Sequence, residues 1–179
     1  MKKQYIVRQS AGIITLNRAH NKILVVYPTN QFGDVLLTIP KGLIEEGENT
    51  LQAARREWGE EVGLSPGCLN MLNNECALLM FITKYYSNEL KQKIRSISIY
   101  FIADLNAPDG IINNAKPIIN KELGYPEIEK VEWLDIYKLH EMQPSRRNME
   151  ITKKIHEFLL LDDELLRKDI YICTKDTNN

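Results

Sequence analysis

The chain opens with short apolar runs separated by polar residues. SAGIITLN (10–17) and KILVVYPT (22–29) are rich in β-branched residues and are separated by the polar RAHN, which predicts strand, turn and strand. VLLTIP (35–40) predicts a third strand ending at Pro40. The period then changes. In ENTLQAARREWGEEVGL (48–64), Leu51, Ala54, Trp58 and Val62 recur at helical spacing and predict one apolar helix face. Gly63 suits the position that closes a helix, and SPG (65–67) prevents its continuation.

Two longer β-rich runs follow, ECALLMFITKYY (75–86) and RSISIYFIADL (95–105), joined by SNELKQK; together they predict a hairpin with a basic turn. Residues 106–128 contain Pro108, Gly110, Asn113, Asn114, Pro117, Gly124 and Pro126 and predict a long loop. Loops of such length in a compact domain commonly overhang a site. KVEWL (130–134) predicts a last short strand and DIYKLHEM (135–142) a helix stopped near Pro144. From 147 to 167, Ile151, Ile155, Phe158, Leu159 and Leu165 give a longer helix an apolar face. The expected organisation is one domain over 1–168 and a tail over 169–179.

With 179 residues and 44% hydrophobic content, the chain is long enough for a core of its own. Lys and Arg (23) nearly balance Asp and Glu (24), for a net charge of -1, which leaves no electrostatic footprint for wrapping nucleic acid or coating a membrane. Cys68, Cys76 and Cys173 include no CxxC pair, and His20, His140 and His156 are scattered, so neither a disulfide framework nor a zinc site is expected. The first residues, MKKQYIVRQSAGIITL, break their apolar run at Arg8 and Gln9, short of signal-peptide length. A cytoplasmic protein is the expectation. No Walker loop, serine nucleophile elbow or dinucleotide-binding glycine motif is present.

The candidate chemistry lies in RREWGEEVGL (55–64). At about 100° per residue, Glu57, Glu60 and Glu61 fall on one helical stripe, where each like-charge pair costs about 0.2 to 0.5 kcal/mol. Gly59 inside the helix costs about 1 kcal/mol more relative to alanine. A solvated acidic face is one explanation for such a stripe. A hard divalent cation is another, because magnesium takes oxygen ligands and converts mutual repulsion into shared attraction.

From Gly42 to Leu64 the chain reads GLIEEGENTLQAARREWGEEVGL, which resembles the signature box of the Nudix hydrolases. Gly42, Glu48, Arg56, Glu57, Glu60, Glu61, Gly63 and Leu64 match that box in register; Trp58 stands where the family usually has an aliphatic residue. The resemblance implies an α/β fold, a Nudix-type α/β/α sandwich around a mixed sheet. It implies hydrolysis of a diphosphate linkage with Mg2+ or Mn2+ held by Glu57, Glu60, Glu61 and the main-chain carbonyl of Gly42. Arg56 would orient the glutamates by ion pairing, and Glu48 would serve the helix start through its dipole. The general base would be Glu60 or Glu61, or one of the glutamates outside the box at 122, 127, 129 and 132.

For the substrate, Ile39-Pro40-Lys41-Gly42 resembles the entry to the box in hydrolases of dinucleoside polyphosphates and of diphosphoinositol polyphosphates, with Lys41 as a point-charge phosphate binder. Tyr85 and Tyr86 lie where dinucleoside polyphosphate hydrolases stack a base, and strand alternation allows only one of them to face a cleft. Arg8, Lys84, Lys91, Lys93 and Arg95 would suit a long polyphosphate. The expected partner is a small-molecule nucleotide, with a dinucleoside polyphosphate such as diadenosine tetraphosphate first. ADP-ribose or another nucleotide sugar, diphosphoinositol polyphosphate and the 5′ end of RNA are the rivals, and near-neutral charge disfavours the last. An inactive Nudix module that binds a nucleotide without hydrolysing it is the alternative of another class.

Overall fold

A computed structural model of the chain describes residues 5–29, 36–72, 75–88, 90–120, 124–142 and 146–160. Its strands are β1 (Ile6–Asn17), β2 (Lys22–Pro28), β3 (Lys41–Leu43), β4 (Leu69–Met71), β5 (Leu79–Ser87), β6 (Gln92–Leu105) and β7 (Ile128–Asp135). The helices are α1 (Thr50–Val62), α2 (Leu139–Met142) and α3 (Arg146–Leu160). One mixed sheet runs β4-β6-β1-β2-β7, with β3 added to β1 and β5 to β6. At its centre β1 and β6 are parallel, from Ile6 opposite Ile94 to Leu16 opposite Asp104.

The continuity of the apolar runs has a simple cause: both faces of the sheet are covered. Successive strand side chains point to opposite faces. Thus Ala11, Ile13, Leu24, Val26 and Phe101 pack with Ala53, Ala54, Trp58 and Val62 of α1. On the other face Ile14, Leu16, Ile23, Val25, Tyr100 and Ile102 pack with Leu139 of α2 and Ile151, Ile155 and Phe158 of α3. The result is the expected α/β/α sandwich. Trp58 is fully buried, and its indole N–H donates to Thr15 Oγ1 at 2.9 Å. A buried indole needs such a partner, and a strand threonine under the helix supplies it.

The elements differ from the expected ones at several edges. Among the described residues of 35–40, Thr38 makes only an isolated bridge to Val26, and the ladder forms one step later, at Lys41–Leu43. Pro40 is the reason, since it has no N–H for a ladder; its carbonyl instead accepts from Ile13 N–H at 3.2 Å. Gly12 permits that crossing, because a Cβ there would fall 2.3 Å from the Pro40 oxygen. The first strand begins at Ile6 rather than Ser10, and the run from 75 becomes strand only at Leu79. β4 escapes a pattern search because three residues carry no readable period. Within the 106–128 loop, Asp109–Asn114 form a 3-10 helix. Leu165 and the tail over 169–179 lie outside the described residues. No helix among the described residues is long and apolar enough to cross a membrane.

Candidate functional site

α1 begins with a reciprocal cap. Asn49 Oδ1 accepts from Gln52 N–H and Gln52 Oε1 accepts from Asn49 N–H, both at 2.9 Å. This capping box satisfies two of the helix's orphan donors without any help from Glu48. Glu48, still at the helix start, also makes specific bonds. Its carboxylate accepts from Arg56 Nε at 2.7 Å and Nη2 at 3.0 Å and from Glu45 N–H at 3.0 Å, which fastens the loop before the helix to the helix itself. The Arg56 bonds, then the Glu45 amide, hold the Glu48 carboxyl below its ordinary range.

Arg56 is the hub of the site. Besides Glu48, its Nη1 donates to Glu57 at 2.8 Å and Glu60 at 3.1 Å, and its Nη2 donates to the Leu43 carbonyl at 2.9 Å. The guanidinium thus sets the rotamers of two carboxylates on its own helix and ties them to β3. Glu57 lies against Gly42 so closely that a Cβ on the glycine would sit 2.0 Å from the Glu57 carboxyl carbon. Glu61 turns toward the same strand, where its Oε2 accepts from Lys41 N–H at 2.9 Å.

These groups surround a cleft of about 630 Å³ lined by the box residues Lys41, Gly42, Leu43, Glu45, Arg56, Glu57, Glu60 and Glu61. The opposite contribution comes from Ile118, Ile119, Asn120, Glu127 and Ile128. Residues 115–120 reach the cleft because they dock on the end of α1. Ile118 N–H donates to the Glu60 carbonyl at 2.8 Å, and the Lys116 carbonyl occupies the space a Cβ on Gly63 would need. Gly63, at φ 73°, is therefore both helix cap and docking surface.

Of the outside glutamates, only Glu127 reaches the cleft among those described. Asn120 Nδ2 donates to it, and Thr29 N–H holds its carbonyl at 2.8 Å. Glu129 is exposed and Glu122 lies outside the described residues. Glu132 stands in register with Val25, on the sheet face away from α1, where it accepts from Tyr27 and pairs with Lys130. Burial and then that bond push the Tyr27 hydroxyl up to about 12.

Desolvation pushes the Glu61 carboxyl up to about 8; the Lys41 amide and ammonium oppose the shift, and Glu57 and Glu127 add to it. Glu57 is raised as well, by desolvation first, with Arg56 opposing and Glu60 and Glu127 reinforcing. The site carries more negative charge than Arg56 and Lys41 neutralise. Its donor set, carboxylate and main-chain oxygens, fits a hard divalent cation. The carboxylates face protein partners, and among the described residues no three Asp, Glu, His or Cys side chains converge at metal-ligand spacing.

The remaining expected substrate residues stand elsewhere. Lys41 lines the cleft; Arg8, Tyr85, Tyr86 and Arg95 do not. They occupy the far end of the β5–β6 hairpin and the start of β1, with Tyr85 opposite Ile94 and Tyr86 opposite Lys93. The two tyrosines therefore point to opposite faces, and they are 48% and 55% exposed. Lys84, Arg95 and Val7 form one row across three strands. Sequence reasoning missed Leu43, Ile118, Ile119 and Asn120. The available signal was the second of two isoleucine pairs inside a loop otherwise marked by Pro, Asn and Gly.

Comparison with known proteins gives the same picture. A family model described as NUDIX domain matches residues 7–154. Among curated proteins, an RNA pyrophosphohydrolase of Shewanella sp. (strain W3-18-1) is 26% identical over 135 residues, covering 73% of this chain and 71% of its own. Among solved structures, a binary complex of the C. elegans Ap4A hydrolase aligns with a TM-score of 0.63 at 19% identity, over 85% of this chain and 97% of its own. The NUDIX domain of Shewanella oneidensis NrtR complexed with ADP ribose aligns at 0.57 and 17% identity, over 88% and 90%. At these identities the structural likeness establishes the fold.

Proposed function

Because this chain belongs to the Nudix family and is a hydrolase of pyrophosphate bonds, we propose that it cleaves a nucleotide bearing a polyphosphate chain, a dinucleoside polyphosphate foremost. The observation that carries this reading is the cleft itself, where Glu57, Glu60 and Glu61 of α1 meet Glu127 from a distant loop beside Lys41. Glu57, Glu60, Glu61 and the Gly42 carbonyl would hold Mg2+ or Mn2+. When bound, such an ion neutralises phosphate oxygens and lowers the pKa of water.

The chain's own residues do the rest. Arg56 bonds Glu57 and Glu60 and so restricts the orientations from which they turn toward a cation. Lys41 places an ammonium at the cleft for a phosphate oxygen. Glu127, oriented by Asn120 and free of any bond to Arg56 among those described, accepts a proton from the water that attacks phosphorus. The P–O bond of the anhydride breaks and the departing phosphate leaves as its anion.

The test is product release with magnesium from diadenosine tetraphosphate, ADP-ribose and 5′-triphosphorylated RNA. Glu127→Gln should lower kcat by about 10²-fold or more. If wild type and the Glu60→Gln, Glu61→Gln double variant behave alike on every compound, the proposed site is wrong. Turnover of ADP-ribose alone would overturn the substrate and keep the site. A second reading, the 5′ end of RNA, is favoured by the curated relatives that carry the name RNA pyrophosphohydrolase; preferential release from the RNA would select it.

A further inference from the structure

We propose that Leu43, Ile118 and Ile119 form an apolar seat for a nucleobase at the rim of the carboxylate cleft. The inference rests on reading that cleft as a nucleotide site and specifies what lies beyond the phosphates. Single exposed hydrophobic residues are ordinary on any protein surface. Here three of the exposed large ones line the same cleft, at 53%, 57% and 59% exposure, while most other lining groups are charged. Ile128, the fourth apolar lining residue, is buried.

The backbone that carries the two isoleucines is bonded on both sides. The backbone of Ile118 is bonded to the Glu60 carbonyl, Lys116 is seated on Gly63, and Ile119 bridges to Pro126. Gly124 N–H closes back on the Asn120 carbonyl at 2.8 Å. Leu43 is held from the other side, in register with Ser10 on β1 and with its carbonyl taken by Arg56. The β-branched isoleucines have stiff side chains, so an apolar surface is presented in a fixed place at little entropic cost.

The chemistry of the occupant follows from the two kinds of lining. Phosphates belong beside Lys41 and the carboxylates, where a cation would compensate charge. A group that gains from these aliphatic side chains must present an apolar face; a nucleobase offers a broad one, a sugar a small C–H patch and a bare polyphosphate none. Removing such contacts weakens binding without removing any phosphate contact, which makes the seat a specificity element. Covering the rim would also take water away from the neighbouring charges and strengthen their interactions.

The test compares two ligands that differ only in the base. Binding of AMP and of ribose 5-phosphate is measured by calorimetry in magnesium, with wild type expected to prefer AMP by about tenfold or more. Ile118→Ser with Ile119→Ser should bring that preference to within about twofold, and Ile118→Val with Ile119→Val should preserve it. Leu43→Ser, on a separate element, gives an independent variant expected to reduce the preference if the loop variant melts abnormally. Equal binding of both ligands by wild type, or a preference intact in both serine variants, overturns the seat. If wild type binds neither ligand, the nucleotide reading fails first and the seat with it.

Discussion

Arg56 makes the box legible as structure. Its guanidinium bonds Glu48, Glu57, Glu60 and the Leu43 carbonyl at once, a task for a planar fork that a lysine ammonium cannot perform. Glu61 is the opposite case, a carboxylate with one amide partner and a pKa pushed to about 8 from an ordinary 4.5, by desolvation above all. Between those values the folded protein binds more protons than the unfolded chain. Without metal, this group therefore lowers stability progressively as pH rises through the window. Melting of chelator-treated protein should decline from about pH 5 to about pH 8, and Glu61→Gln should flatten that slope. An unchanged slope would show that Glu61 ionises normally.

At the scale of the element, α1 is divided by what each residue meets. Ala53, Ala54, Trp58 and Val62 are buried against the sheet, while Glu57, Glu60 and Glu61 face the cleft. Gly59 belongs to neither group. A Cβ there would meet Pro66 at 3.2 Å, so the glycine allows the chain after the helix to fold back closely. Gly42 has the more consequential contact, and Gly42→Ala should displace the Glu57 carboxylate and weaken magnesium binding about 10- to 100-fold. Gly47→Ala is the control. At φ 85° with open space around it, that change should cost about 1 to 2 kcal/mol of stability from backbone strain and leave magnesium affinity in place. Calorimetric titration of both variants separates a crowded carboxylate from a strained turn.

Across the whole molecule, the site joins segments that are far apart in the chain, so a ligand that binds it should stabilise the fold. Magnesium at about 100 times its Kd should add roughly 2.7 kcal/mol to unfolding stability, read as a rise in Tm, and the Glu60→Gln, Glu61→Gln variant should lose most of that gain. The sequence by itself determined the first strands, the helix after Pro40 and the division of its faces, because period, caps and charge spacing are local properties. It also determined the box register, from Gly42 to Leu64. Which outside glutamate joins the box was decided only in three dimensions. Glu132 pairs with Val25 and so faces away from α1, whereas Glu127 lies just before β7, where Thr29 N–H holds its carbonyl, and lines the cleft. The same holds for the Tyr85 and Tyr86 hairpin, whose distance from the carboxylates depends on strand order. Leu43, Ile118 and Ile119 line one cleft because the backbone of Ile118 docks on the end of α1. Contacts between residues so far apart leave no mark on local periodicity, and only packing brings them together.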